Sequence, residues 1–201
     1  MNEIFFDKAI IHLKKDAKLY TVIEKHGKLD FGKKITPFHS LLKYIIYQQL
    51  SIHSAKAIYM RFLQLFNNNP TPNNCIQTSY SDFNNIGISK QKINYIYNIS
   101  NYFLENPINF NDMSNTEIRN SLIEVKGIGL WTIDMFLIFT LNRLDILPIG
   151  DLGIKKGFRI LYNLDSMPTD EFMLERAEKW DPYQSIASLY LWKIVDGDVV
   201  F

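Results

Sequence analysis

Apolar residues recur at three- and four-residue intervals along nearly the whole chain, the spacing of amphipathic helices. No stretch alternates apolar and polar residues over the length of a strand, and no period repeats as in a solenoid. Residues 3–25 read as one or two helices ending near Gly27, and 27–34 as a turn or a small β element. Thr36 is an N-cap with Pro37 at the first helical position; that helix runs through Leu41, Leu42, Ile45 and Ile46 to about Leu50. A second helix begins near Ser51 and continues to Phe66, followed by a loop over Asn67–Asn74 and a short helix at 74–80. Ser89 caps a longer helix with Ile93, Ile96, Tyr97 and Phe103 on its apolar side. Ser114 and Glu117 form a capping box for 115–124. A hairpin at 125–129 leads into a helix from Leu130 to Asn142 that is apolar on nearly all faces, and so belongs in the centre of the fold. After a loop at 143–150, Asp151 starts a helix to about Tyr162, and helices near 169–180 and 183–195 complete the pattern. The expected fold class is all-α.

Composition narrows what these helices do. With 201 residues and 47% hydrophobic content, the chain suffices for one globular unit or two small lobes. Its net charge is +1, from 22 basic and 21 acidic residues. A strongly basic domain is the usual footprint of nucleic-acid binding, so any such contact here has to rest on backbone amides and a local basic patch. The one cysteine, Cys75, excludes a disulfide framework and an iron–sulfur cluster held by four thiolates, and a reducing, cytoplasmic compartment is expected. The N-terminus lacks the basic and apolar run of a signal peptide. The longest apolar stretch, Met135 to Leu141, is too short to span a bilayer, so no membrane role is expected. The four histidines have no metal-ligand spacing, and neither a Gly-x-Ser-x-Gly elbow nor a Walker loop is present.

Two features carry candidate chemistry. The first is the hairpin in Val125-Lys-Gly-Ile-Gly-Leu-Trp-Thr-Ile-Asp134. Gly127 and Gly129 let the backbone turn tightly and approach a phosphate, the following helix N-terminus attracts anions, and Thr132 adds a hydroxyl. The carbonyls of Ile123, Val125 and Gly127 are candidates to face a monovalent cation, Na+ or K+, bridging to phosphate. A Gly-x-Gly turn alone is more often an ordinary helix corner; the apolar flanking helices and Thr132 favour the phosphate grip. The second feature is Asp151 in Pro148-Ile-Gly-Asp-Leu-Gly-Ile-Lys155. Most aspartates so placed are only N-caps. A cap position also favours a carboxylate anion, and an anion near a sugar C1′ stabilises an oxocarbenium-like transition state or orients the attacking water. Asp145 is a lesser rival, and Asp134 and Glu124 are expected to make local hydrogen bonds.

Hairpin plus aspartate resembles the helix-hairpin-helix DNA glycosylase superfamily, most of all its DNA-3-methyladenine glycosylase II type, which acts in alkylation repair. Four segments carry the resemblance in family order: Ile45-Ile-Tyr-Gln-Gln-Leu-Ser51, Ile86-Gly-Ile-Ser-Lys-Gln-Lys-Ile93, the hairpin continuing to Lys155, and Arg176-Ala-Glu-Lys-Trp-Asp-Pro-Tyr-Gln-Ser-Ile-Ala-Ser-Leu-Tyr-Leu-Trp192. The resemblance implies two helical lobes with an active-site cleft between them, one formed by residues 37–143 with the hairpin, the other by 1–36 and 144–201. It makes Asp151 catalytic. Trp131 stands where strand-cutting members carry a Schiff-base lysine, which implies a monofunctional enzyme whose nucleophile is water. Trp131 and Trp192 match aromatic positions of the base pocket, with Gln48, Met135 and Tyr47 beside them; Gln49 or Leu50 is the wedge that fills the gap left by a flipped nucleotide. Gly127, Gly129, Thr132, Lys126 and Lys155 are expected at DNA phosphates; solvated helix faces explain Lys90, Lys92, Lys156 and Arg159 nearly as well as phosphate contacts do.

The implied activity is excision of alkylated purines from damaged double-stranded DNA by a monomer that needs no organic cofactor. Lys126, where a Pro is common, and Met135, where some relatives have a tyrosine, are departures that bear on base preference. A glycosylase for uracil or hypoxanthine, a non-catalytic damage-binding module and a helical adaptor are the alternatives.

Overall fold

The computed structural model describes residues 3–29 and 35–196, and every regular element among them is helical. The chain divides into two compact units, Met1–Lys33 with Leu137–Phe201, and Lys34–Phe136. The sequence boundary expected near residue 143 thus falls at 136/137, inside a helical stretch. The turn or β element expected at 27–34 lies largely outside the described residues.

The contiguous unit holds α3 (Pro37–Tyr47), α4 (Ile52–Leu65), α5 (Pro72–Gln77), α6 (Tyr80–Asn85), α7 (Lys90–Glu105), α8 (Asn115–Ile123) and α9 (Leu130–Met135). Thr36, Ser51, Ser89 and Ser114 each cap as their sequence context predicts, through side-chain oxygens that accept first-turn N–H groups. Two expectations need correction. The Asn67–Asn74 loop is shorter, because Thr71 and Asn74 close a capping box with Pro72 at the first helical position. The short helix at 74–80 is two, the second capped by Ser79. Asn67 and Asn68, with φ of 49° and 64°, turn the chain out of α4 in a conformation Asn tolerates better than most residues. The core contains Leu41, Ile45, Phe62, Phe83, Ile93 and Ile96. Phe62 and Phe83 stack at 6.1 Å, and Phe83 meets Tyr97 edge-on at 5.8 Å.

The hairpin between α8 and α9 rests on α7. Gly127 has φ of +110°, and a Cβ there would lie 2.2 Å from Cγ of Tyr95, so the turn is packed on the root of an aromatic ring and only glycine fits. Asn98 of α7 donates to the Lys126 carbonyl at 2.9 Å. An ion pair joins the two hairpin helices, Arg119 Nη2 to Asp134 Oδ1 at 2.6 Å. The helix predicted to run from Leu130 to Asn142 is α-helical only to Met135 and continues as a π-helix over Phe136–Thr140. Residues 132–138 are buried.

The other unit holds α1 (Glu3–Leu13), α2 (Ala17–His26), α10 (Leu152–Tyr162), α11 (Asp170–Ala177), a 3-10 turn at Glu178–Trp180 and α12 (Gln184–Asp196). Asp16 is its buried polar hub, 3% exposed. Oδ1 accepts the N–H groups of Lys18 and Leu19, capping α2. Oδ2 accepts the Trp180 indole N–H at 2.9 Å and the Tyr162 hydroxyl at 3.0 Å, and pairs with Lys179 Nζ at 3.0 Å. One carboxylate therefore ties α2 to α10 and to the segment after α11. Burial alone pushes its pKa up; the Lys179, Trp180 and Leu19 donors outweigh burial and hold it below the ordinary value.

Asp16→Ala leaves buried donors unpaired and is expected to cost about 3 kcal/mol at neutral pH. Because the native carboxyl is held below its unfolded value, that contribution is full above the unfolded pKa and is lost as pH falls through the native one. Urea midpoints of parent and variant should therefore converge in acid; a gap independent of pH refutes the ionised hub. Gly127→Ala combines left-handed strain with overpacking against Tyr95 and should cost about 3 kcal/mol in the same assay.

Candidate active site and nucleic-acid interface

Asp151 begins α10 as its N-cap, with Oδ1 accepting the Ile154 N–H at 2.9 Å. The same oxygen accepts the Trp192 indole N–H at 2.8 Å. Close helix packing makes this second bond available. A Cβ at Gly153 would lie 2.7 Å from Trp192 Cδ1, and one at Gly157 would lie 2.8 Å from the Leu191 backbone. These glycines, one turn apart on α10, let α12 approach until its indole reaches the cap carboxylate. The loop before Asp151 is fixed from the same helix: the buried Ser185 hydroxyl accepts the Ile146 N–H at 3.0 Å, and its own N–H donates to Leu144 at 2.8 Å. Asp151 keeps 9% of its surface exposed. Two fixed donors on one oxygen hold the carboxyl group in a single orientation.

Trp192 itself is 2% exposed and lies 5.7 Å from Phe139 in a tilted ring contact. Its indole N–H is committed to the Asp151 carboxylate. Met135, expected beside it in the pocket, has no exposed surface. Tyr44 and Tyr190 are core residues as well, the Tyr190 hydroxyl donating to Gly27. Lys155, expected at a phosphate, pairs with Asp170 of α11 at 2.9 Å.

The hairpin unit presents its own polar node. Gln48 caps the C-terminus of α3, and its Nε2 donates both to the Gly127 carbonyl at 3.0 Å and to Thr132 Oγ1 at 2.9 Å. Two expectations change as a result. Thr132 is buried with its hydroxyl committed, so it supports the hairpin from within rather than reaching a phosphate. Gln48 braces the hairpin rather than lining an open pocket. The Val125 carbonyl, one of three expected to hold a cation, accepts the Ile128 N–H at 2.9 Å, and Gly127 is engaged by Gln48. Each carbonyl oxygen has a second lone pair, so one hydrogen bond does not by itself remove either as a cation donor.

Lys126, Gly129 and Leu130 are exposed at the hairpin, Leu130 by 61%, and Ile123 beside them by 41%. Gly129 is the N-cap of α9 and offers no side chain to its first-turn N–H groups. A Cβ at Gly129 would meet nothing within 4 Å, so neither fold nor packing requires glycine there. Trp131, one residue into α9, is half-buried. Gln49 and Leu50, the expected wedge, project from the turn between α3 and α4, with Leu50 40% exposed. Tyr47, at the base of that turn, is half-buried, packs edge-on against Tyr59 at 5.9 Å, and its ring lies under Lys43 Nζ at 5.7 Å. Cys75 is fully buried and its thiol is pushed up to about 12 by burial, which removes it as a nucleophile.

The chain is 35% identical to DNA-3-methyladenine glycosylase 1 of Schizosaccharomyces pombe over 80% of its own length and 73% of that protein. It is 31% identical to an alkylbase DNA glycosidase-like protein of the same yeast, over 89% and 88% of the two chains. The solved structure of the S. pombe 3-methyladenine DNA glycosylase in complex with abasic DNA superposes with a TM-score of 0.87 at 31% identity, covering 96% of this chain and all of that one. A DNA-3-methyladenine glycosidase from Bacillus halodurans superposes with a TM-score of 0.80 at 34% identity, covering 92% and 87%. The HhH-GPD superfamily of base excision DNA repair proteins matches residues 42–182, which include the hairpin and Asp151, and the chain belongs to that superfamily.

Proposed function

We propose that this protein is a monofunctional DNA glycosylase that removes alkylated purines of the 3-methyladenine class from duplex DNA and so begins base excision repair. The observation that carries the reading is the Asp151 carboxylate, held by the Ile154 and Trp192 N–H groups in a chain whose relatives bear that activity in their names. Alkylation at N3 or N7 leaves the purine cationic, so it departs with the electron pair of the C1′–N bond and needs no strong general acid. The charge that develops on the sugar is stabilised by an ionised carboxylate, and water attacks C1′. Position 131 carries a tryptophan in place of an amine, which favours hydrolysis over strand cleavage. The hairpin is the grip on the DNA backbone, with glycine at 129 leaving room for a phosphate and a monovalent ion at the carbonyls as a further bridge. A monomer working in the cytoplasm belongs to the same proposal.

Release of free 3-methyladenine from methylated duplex DNA tests the activity. Asp151→Asn should lower the rate by about a hundredfold or more, and borohydride should trap no covalent adduct; an active Asp151→Asn, or a trapped adduct, refutes the mechanism. Trp192→Phe keeps a ring but loses the donor, and a hydrogen bond to a charged group is worth a drop of about tenfold in rate. Gly129→Ala should leave folding stability within about 1 kcal/mol of the parent while weakening binding to duplex DNA about fivefold, the loss of one phosphate hydrogen bond. Unchanged affinity in that variant removes Gly129 from the interface.

A further inference from the structure

Lys92 was expected on a solvated face or at a phosphate. Its ammonium instead turns inward and donates to two carbonyls at the end of α3, Ile46 at 2.8 Å and Gln48 at 2.7 Å. Carbonyls in the last turn of a helix have no intrahelical partner, and a cation there also complements the helix dipole. Burial lowers the Lys92 pKa, the cost of bringing the charge inward. That cost maintains an unusual turn. Immediately after Gln48, Gln49 has φ of +55°, a left-handed conformation that persists in a non-glycine residue only where its surroundings enforce it. A cavity of about 180 Å3 is lined in part by Ile46, Gln49, Leu50, Ile58 and Lys92, so packing around the turn is incomplete. The residue before the turn is fixed twice, its carbonyl by Lys92 and its side chain by Gly127 and Thr132 of the hairpin.

We propose that Lys92 is a positioning residue that holds the Gln49–Leu50 tip in its projecting conformation, so that tip and hairpin meet DNA as one rigid element. The proposal rests on the glycosylase reading only in taking duplex DNA with an emptied base position as the ligand. Lys92 touches neither base nor phosphate; it acts through the backbone of the tip. A rigid tip enters the gap in a duplex without first losing conformational freedom, and its effect is confined to DNA that has such a gap.

The test measures binding of the full chain to two duplexes, one undamaged and one with a tetrahydrofuran abasic analogue flanked by 2-aminopurine, whose fluorescence rises on unstacking. Lys92→Met should reduce the preference for the abasic duplex by about tenfold and remove the fluorescence rise, while affinity for the undamaged duplex stays within about twofold, since phosphate contacts set it. Lys92→Arg, which retains donors, should restore much of both. If Lys92→Met does not fold, Lys92→Gln, with one amide donor group, should give an intermediate loss. A full fluorescence rise in a folded Met or Gln variant overturns the proposal. So does an equal loss of affinity for both duplexes, which would make Lys92 a phosphate contact, or a parent that shows no rise at all. Excision of methylated bases, assayed separately, decides the glycosylase reading whatever these outcomes are.

Discussion

Two glycines on α10 allow the contact that orients the Asp151 carboxylate, the group on which the proposed chemistry depends. Side chains at 153 or 157 would hold α12 away, the Trp192 indole would fall short of Asp151, and the carboxylate would lose that donor. Helix surfaces normally stay 8–10 Å apart at their axes because side chains intervene. Here backbone stands in for side chain, and the space gained is used to place a hydrogen-bond donor. The same helix, through Ser185, fixes the loop that delivers Asp151, so a single element sets both the carboxylate's backbone and its orientation.

The hairpin unit reaches a comparable result by different means. Its turn is tight because Gly127 lies on the Tyr95 ring, and it is braced because Gln48 divides its amide between a turn carbonyl and a buried hydroxyl. Gly129, Lys126 and Leu130 are the groups of the turn that face solvent. A chain with a net charge of +1 has little general attraction for a polyanion, so directed groups have to carry more of the binding. A braced loop suits that requirement, since a dipole contributes fully only when its direction is fixed before the ligand arrives.

Much of the fold was legible in the sequence because its signals are local. Thr36-Pro37, Ser51, Ser89, Ser114 with Glu117, and Asp151 are caps, and a cap is set by a few adjacent residues. Apolar periodicity located most of the helices and identified 130–142 as central. The misses have tertiary causes. Nothing in residues 136–140 announces a π turn, which depends on how the ring of hydrogen bonds closes rather than on composition. Gln48 and Thr132 look like exposed site residues because their partners are distant in the chain, and the inward turn of Lys92 depends on carbonyls 44 and 46 positions away. Family resemblance assigned positions 135 and 192 to a pocket; the depth of their burial reflects packing that no motif encodes, and the Trp192 donor bond to Asp151 spans 41 residues. Asp16 carries a readable N-cap signal, but its role as a hub depends on Tyr162, Lys179 and Trp180, more than 140 residues away.

The indole at position 131 bears on what happens after excision. A primary amine there would capture the opened sugar as an imine and carry the reaction on to a broken strand; an indole nitrogen is not basic and forms no such link. Under the proposed chemistry the protein therefore lets go of a continuous backbone carrying a latent aldehyde, a lesion more fragile than the one it removed. The repair sequence is left unfinished by design, and it requires a second activity, a phosphodiester hydrolase or lyase that recognises a sugar without its base, to take over before that aldehyde opens the strand on its own.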